Sequence, residues 1–259
     1  MKARALALYV AIIYAFLHLP LIILGVFSFN SSKFTRWEGF SLHWYEAALG
    51  DKALMESAWN SLLIATFATV LSTTIGTMAA YAMWKRSAPW LTTSLYVSLV
   101  TPEIVTGVSL LALFQIVFRV LRLPLGMHTV VLAHVSFCLV YVVMVVLARL
   151  RTIDGSYEEA AQDLGATPWQ AFWHVTLPML RPGIVAAALL AFTTSLDDYV
   201  ITSLVAGVDS ETLPMIVYGM ARRGVNPTVN AISTLIVVGL GALIVVSQQL
   251  EHRNPEQTT

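Results

Sequence analysis

Three acidic residues interrupt stretches of the sequence that are otherwise apolar or hydroxylic. Asp197 and Asp198 lie in AFTTSLDDYVITSLVAG, and Glu103 lies in LVTPEIVTGVSLL. An unpaired carboxylate at the centre of a hydrocarbon layer costs roughly 2.5–3.5 kcal/mol, so each is expected to face water, a cation or a fixed partner. Because adjacent side chains on a helix point about 100° apart, one aspartate could line a path for a cationic solute while the other has a different role. The second aspartate could cap a broken helix end or pair with Arg222 or Arg223. Alternatively, both aspartates serve only as caps or ion-pair partners, and neither lines a path.

Other residues whose side chains could bind a ligand or a metal form weaker patterns. Tyr199 follows the acidic pair, where its ring could hold a cation or anchor the chain at the membrane interface. His134 and Cys138 are four residues apart, but two ligands do not make a zinc site, so we predict neither a metal site nor a cofactor. His18 is predicted to be packed and neutral. Since the sequence shows no nucleophile–base set, we predict that the protein is not an enzyme.

The amino-acid composition indicates whether the chain folds in water or in a membrane. Hydrophobic residues make up 57% of the 259 residues and charged residues only 12%, with a mean hydropathy of +0.73. Soluble domains are roughly a quarter charged, so this deficit predicts an integral membrane protein in contact with lipid. Basic and acidic residues balance at 15 each, which gives no indication of a nucleic-acid partner.

Six stretches have the roughly 20 apolar residues needed to cross about 30 Å of hydrocarbon. They cover residues 5–29, 61–83, 92–120, 129–147, 180–205 and 231–248. Backbone polar groups in lipid must be satisfied internally, so we predict helices and an all-α polytopic membrane fold. Pro102 and Gly107 predict a kink or a break near Glu103. At 1.5 Å per residue, Glu103 lies about 16 Å into its span, near the middle, and Asp197 lies about 25 Å along the fifth span.

Three segments remain outside the predicted spans. Residues 30–60 are predicted to form a loop with an interfacial helix, and residues 206–230 a second loop on the same side. Residues 151–179 lie on the opposite side. Six spans place both termini on one side, and the first span is predicted to be an uncleaved anchor. Basic residues are divided almost equally between the two sides, so charge alone does not fix the orientation.

The 151–179 loop contains clear signals for helix ends. Ser156 and Glu159 form an S-x-x-E capping box that predicts a helix start, and Gly165 fits the left-handed position that ends this helix. A second helix is predicted from its cap and first turn, Thr167, Pro168 and Gln170, and from its aromatic face, Trp169, Phe172 and Trp173. Such a segment is either a connector in the headgroup layer or a rigid knob that fits the groove of a partner.

The spacing within this loop is similar to a known motif. Glu159-Ala160-Ala161, Gly165 and the VTLP stretch from Val175 to Pro178 resemble E-A-A-x3-G-x9-I-x-L-P of permease subunits in ATP-binding-cassette importers, with Val175 in place of isoleucine. The resemblance implies the type I importer permease fold and a cytoplasmic coupling loop that docks on a separate ATPase dimer. The residues implied in coupling are Glu158, Glu159, Ala160, Ala161, Gly165, Leu177 and Pro178. The chain lacks a G-x-x-x-x-G-K-[ST] sequence, so ATP is expected to bind to another polypeptide.

A wider resemblance covers most of the chain. Residues 25–32, 59–65, 99–111, 192–207 and 213–235 resemble the second permease subunit of spermidine/putrescine importers. This implies a single permease domain over residues 1–259 in the bacterial inner membrane, with cytoplasmic termini and with periplasmic loops at 30–60 and 206–230. The implied partners are a second homologous permease and a periplasmic polyamine-binding protein. The resemblance also implies a polyamine substrate, whose path would be lined by Glu103, Asp197, Asp198 and Tyr199.

Three other functions are consistent with parts of the pattern. The same machine could carry another solute, in which case the three carboxylates would be dispensable for substrate choice. A proton-coupled secondary transporter could use the acids as a relay, although the chain is short and has no evident inverted repeat. A membrane enzyme would need a catalytic or metal-ligand set, which the sequence does not contain.

Overall fold

The computed structural model describes residues 2–34, 36–86, 88–224 and 227–252. Within these ranges the regular elements are helices, together with one isolated β-bridge between Asn30 and Phe40. The α-helices are α1 (Lys2–Phe27), α2 (His43–Gly50), α3 (Lys52–Lys85), α4 (Pro89–Val100), α5 (Glu103–Leu121), α6 (Met127–Leu150), α7 (Ser156–Asp163), α8 (Pro168–Ala171), α9 (Leu177–Asp197), α10 (Val200–Val205), α11 (Leu213–Arg222) and α12 (Pro227–His252). A π turn, Phe172–Thr176, joins α8 to α9. The predicted all-α fold class is confirmed.

Five helical stretches in the described part of the chain are long and apolar enough to cross a membrane. They are Ala5–Phe27, Lys52–Lys85, Glu103–Leu121, Met127–Leu150 and Pro168–Asp197. The sixth predicted span corresponds to the shorter apolar stretch Pro227–Ala242 of α12. These helices satisfy their own backbone groups, as hydrocarbon requires. Several bounds differ from the prediction; for example, α3 begins at Lys52 instead of residue 61, and the fifth helical stretch begins at Pro168 instead of residue 180.

Two predicted spans are interrupted. The third span, 92–120, is divided where α4 ends at Val100 and α5 begins at Glu103, with Thr101 in an extended conformation. Pro102 lacks a backbone N–H and disfavours helix in the residue before it, so the break that it predicted is confirmed. The fifth span, 180–205, is divided between Asp197 and Val200. No proline or glycine marks this second break, and the aspartates themselves lie at it.

By internal contacts the chain divides into two compact units. The first comprises Met1–Glu56 and Ile216–Leu243. In it, the side chain of Asn30 ties down the loop after α1, since it donates to the carbonyls of Phe34 and Arg36 and accepts from the Glu38 N–H. The predicted helix within residues 30–60 is present as α2.

The second unit comprises Ser57–Met215 and Ile244–Thr259. Its core is built on α6, which packs along α9, while α10 packs against α5 and α6. Small side chains allow close approach between helices. At Gly183 an added Cβ would lie 2.8 Å from Cβ of Arg149, and at Gly76 it would lie 2.6 Å from the Val142 side chain. These close contacts hold α9 and α3 against α6.

Candidate functional site

The break between α9 and α10 is held by the carboxylate of Asp198. It accepts the backbone N–H of Ile201 at 3.3 Å and of Thr202 at 2.8 Å, and the hydroxyl of Thr202 at 2.7 Å. These bonds satisfy donors that a helix start leaves without intrahelical partners. Asp198 therefore caps a broken helix end, one of the roles considered for the pair. Arg222, the alternative partner, lies with its guanidinium 5.3 Å from the ring centre of Tyr218.

His134 on α6 completes this arrangement. Its Nδ1 lies 2.6 Å from the Ser195 hydroxyl, and its Nε2 lies 2.8 Å from the Thr202 hydroxyl and 3.5 Å from Asp198. The imidazole is 1% exposed, and a hydroxyl group lies within hydrogen-bond distance of each of its nitrogens. Cys138 lies against the carbonyl of Ala191 at 3.5 Å. The described residues contain no group of three potential metal ligands.

His18 contradicts its prediction. The sequence predicted a packed histidine, but the side chain lies on an exposed face of α1. Its ring stacks on Tyr14, and Nδ1 lies 2.8 Å from the Tyr14 carbonyl. The reason is that the apolar stretch of α1 buries none of its residues within this chain.

A cleft of about 780 Å³ in the second unit brings the predicted path residues together. Glu103, Asp197, Asp198 and Tyr199 all line it. From helical rise alone, Glu103 was placed near the middle of the membrane and the aspartates farther out. The two breaks bring these acids to one space, because Glu103 is the first residue of α5 and Asp197 the last residue of α9. The acidic residues therefore face a shared space.

The remaining lining of this acidic cleft is mainly hydroxylic and apolar. The described lining residues include three carboxylates and no Lys or Arg, so the cleft favours a cation. The sequence reasoning missed the hydroxyl residues among them, which are Ser98, Thr101, Thr106, Ser109, Ser136, Tyr141 and Thr194. Glu103, Thr106, Leu110 and Leu113 follow helical spacing along α5, so extending the pattern from Glu103 would have found part of this face.

The 151–179 loop begins its helix where predicted, with a different cap. α7 starts at Ser156, but the Ser156 side chain does not cap it, and the predicted Ser156–Glu159 box is wrong. Asp154 takes this role, since its carboxylate accepts the Ser156 backbone N–H at 3.0 Å. The same hydrogen bond lowers the pKa of Asp154 from its ordinary value. Asp154 precedes the N-cap position, Gly155, and satisfies one donor of the first turn, the Ser156 N–H.

The bend and the second cap follow the prediction. Gly165 has a φ of +94°, in the region that favours glycine. Thr167 and Gln170 form a reciprocal box, with the Thr167 N–H donating to the Gln170 side chain at 2.8 Å and the Gln170 N–H to the Thr167 hydroxyl at 3.3 Å. The second helix is not a separate element, because α8 continues through the π turn into α9. Residues 168–197 therefore form one helical rod from the loop to the acidic cleft.

Glu158 is directed into the chain. Its side chain is 3% exposed and forms an ion pair with Lys85. It also accepts the hydroxyls of Tyr81, at 3.2 Å, and of Thr176. This Glu158 cluster ties α7 to the end of α3 and to the π turn. The sequence reasoning missed these three partners, since no local spacing links residue 81 to residue 158.

Other residues of the loop face outward. Glu159, Ala160, Gly165 and Pro178 are exposed, while Ala161 and Leu177 are half-buried. Leu164 is 91% exposed and Trp169 is 62% exposed. Trp169 packs on Phe172, which in turn packs on Tyr81 at a ring distance of 4.6 Å. The loop thus presents apolar side chains on a base that is fixed to α3.

Comparison with known proteins gives consistent matches. The family model described as the binding-protein-dependent transport system inner membrane component matches residues 72–253. The putrescine transport system permease protein PotI of Escherichia coli K12 is 43% identical, over 94% of this chain and 89% of the relative. The spermidine/putrescine transport system permease protein PotC of Haemophilus influenzae is 39% identical, over 94% and 95%. Among solved structures, one match is a chain of a bacterial alginate ABC transporter in complex with an alginate pentasaccharide-bound periplasmic protein. The match covers 100% of this chain and 96% of that chain, with a TM-score of 0.72 and 15% identity, so the two chains have a similar fold.

Proposed function

Because the chain belongs to the family of binding-protein-dependent transport system inner membrane components, we propose that it is the permease subunit of an ATP-driven polyamine importer. The observation that carries the substrate class is the acidic cleft, in which Glu103, Asp197 and Asp198 are accompanied by no described Lys or Arg. A polyamine bears ammonium groups a few ångströms apart, so several carboxylates in one space match its charge. The names of the 43% and 39% identical relatives support the same class.

The three carboxylates have different duties in this proposal. Asp198 holds the helix break, and its remaining surface borders the cleft. Asp197 and Glu103 line the same cleft without being used as caps of α10, so they are the residues that meet the ammonium groups. Tyr199 lies beside them, where its ring adds a cation–π contact. Binding at these groups has to stay weak enough for release.

The coupling loop supplies the connection to ATP hydrolysis. Its exposed Glu159, Ala160, Leu164 and Trp169 form the surface that meets a partner ATPase, and Glu158 fixes that surface to the membrane helices. The complete importer contains an ATPase dimer, a second homologous permease and a periplasmic polyamine-binding protein. The loop and both termini lie in the cytoplasm, residues 30–60 and 206–230 face the periplasm, and residues 1–259 act as a single permease domain. The exposed apolar face of α1 meets lipid or the second permease.

Transport in this proposal proceeds by alternating access. Closure of the ATPase dimer moves the coupling loop, and the rod of residues 168–197 carries the displacement to the break at Asp197. The acidic cleft then opens to the other side of the membrane. A chain that accumulated polyamine in liposomes without any ATPase would refute this mechanism.

The substrate class is tested with the complete complex in proteoliposomes. Glu103→Gln and Asp197→Asn are each expected to reduce spermidine import about tenfold, which corresponds to the loss of one charge-assisted hydrogen bond. The ATPase subunits should remain bound, because neither residue lies in the coupling loop. Glu46→Gln is the matched control, since Glu46 is an exposed carboxylate on α2 outside the lining of the cleft. Import at the wild-type rate by both cleft variants would exclude the acidic cleft as the polyamine site.

A further inference from the structure

We infer that His134 is a positioning residue that holds the Asp198 carboxylate at the wall of the acidic cleft, an inference that rests on the proposed function. His134 lies on α6, 61 residues from Ser195 and 68 from Thr202, and contacts both. Ser195 is on α9, before the break, and Thr202 is on α10, after it. A single imidazole therefore bridges the two sides of the break from a third helix.

The distances assign the protons of this network. A carboxylate only accepts, so the Thr202 hydroxyl donates its proton to Asp198 at 2.7 Å. The Thr202 oxygen is then an acceptor, and Nε2 of His134 at 2.8 Å must carry a proton. Nδ1 lies 2.6 Å from the Ser195 hydroxyl, which can either donate to it or accept from it. From His134 onward the donors run in one direction, through Thr202 to Asp198.

This direction of donation explains why a buried carboxylate can remain in place. The Asp198 side chain is 6% exposed, and Thr202 donates to it from both its backbone and its hydroxyl. Nε2 of His134 lies 3.5 Å away and polarises the Thr202 hydroxyl toward it. Chains of hydrogen bonds in a low-dielectric interior strengthen one another. His134 therefore acts on Asp198 mainly through Thr202.

The position of α10 connects this network to the other acid of the cleft. α10 packs on α5, and an added Cβ at Gly107 would lie 2.6 Å from Leu204. Glu103 is the first residue of α5. By fixing α10 and the break before it, His134 sets the position of the neighbouring Asp197 relative to Glu103 across the cleft. Without a donor at Nε2, Thr202 and Asp198 lose their orientation, and Asp197 and Glu103 no longer match one polyamine.

The experiment compares three substitutions in the complete transporter in proteoliposomes. Spermidine import, ATP hydrolysis and complex yield are measured with saturating loaded binding protein. His134→Gln keeps an N–H donor near the Nε2 position, His134→Asn reaches only to the Nδ1 position, and His134→Leu has no donor. We expect His134→Leu and His134→Asn to reduce import about tenfold, with ATP hydrolysis and yield within twofold of wild type. His134→Gln should retain at least half of wild-type import.

Two controls separate this inference from a structural role and from the proposed function. His128→Gln, on the same helix but outside the lining of the cleft, should import at the wild-type rate. Equal import by the Gln and Leu variants of His134, or a parallel fall in yield and ATP hydrolysis, would overturn the positioning role. Wild-type import by His134→Leu alongside defective Asp197→Asn would refute this inference alone. Wild-type import by both Asp197→Asn and Glu103→Gln would refute the proposed function itself.

Discussion

The Glu158 cluster predicts that one mutation will rescue another. The Glu158 side chain is 3% exposed, whereas that of Lys85 is 40% exposed. Lys85→Met removes the cation and leaves a buried carboxylate with only the hydroxyls of Tyr81 and Thr176. Breaking a fully buried pair costs about 3–5 kcal/mol, and the exposure of Lys85 reduces this to about 1–3 kcal/mol. Adding Glu158→Gln removes the uncompensated charge, so the double variant is expected to be more stable than Lys85→Met alone.

The measurement is the thermal unfolding midpoint of the purified chain in detergent. For a domain of this size each kcal/mol shifts the midpoint by about 2–4 °C, so Lys85→Met should lower it by several degrees. The double variant should recover at least half of that loss. Arg86→Met is the control, because Arg86 is an exposed cation at the neighbouring position. A double variant no more stable than Lys85→Met would show that Glu158 does not depend on Lys85 for its charge.

Two further substitutions test the packing and the coupling surface. Gly207→Ala is expected to destabilise the chain by about 3 kcal/mol, measured by the same unfolding midpoint, because the new Cβ would lie 1.8 Å from the backbone oxygen of Leu125. Gly50→Ala, with no atom within 4 Å of the new methyl group, should leave the midpoint nearly unchanged. Trp169→Ala should shift stability by less than about 0.5 kcal/mol yet weaken retention of the ATPase at least tenfold in co-purification, since Trp169 is 62% exposed on the coupling loop. Trp90→Ala, 72% exposed on α4, should leave ATPase retention unchanged, and equal retention by both variants would remove Trp169 from the docking surface.

The helices were predictable because hydrocarbon leaves the backbone few alternatives. Apolar stretches therefore located the membrane helices, and Pro102 located the first break. Helix ends were less predictable, since α3 begins at Lys52, nine residues before the apolar stretch that marked it. The second break could not be predicted from backbone chemistry. It depends on Asp198 finding donors in α10, which only the folded chain provides.

The site was predictable as residue types but less so as an arrangement. The acids were conspicuous because of their cost in lipid, and the cap box at Thr167 is local enough to identify by spacing. The capping role of Asp154 was missed, because the S-x-x-E pattern pointed to Ser156 and only the structure shows Asp154 accepting the Ser156 N–H. His134 gave no signal for its role, because its partners are more than 60 residues away. Hydrogen bonds between residues this far apart leave no periodic pattern in the sequence.

The π turn at Phe172–Thr176 makes chain length in this region a constraint of its own. A π turn closes its hydrogen bonds over one more residue than an α-helix does. Deleting one residue between 172 and 176 would allow ordinary α-helix, and α8 would keep nearly the same rotation about the axis of α9, because the π turn holds one residue more than an α turn. The deletion would instead change which residue of the turn faces Glu158, the position that Thr176 now occupies. The extra residue is thus held within a continuous helix, and the two buried side chains of the wide turn, Phe172 and Thr176, fix the turn against Tyr81 and Glu158.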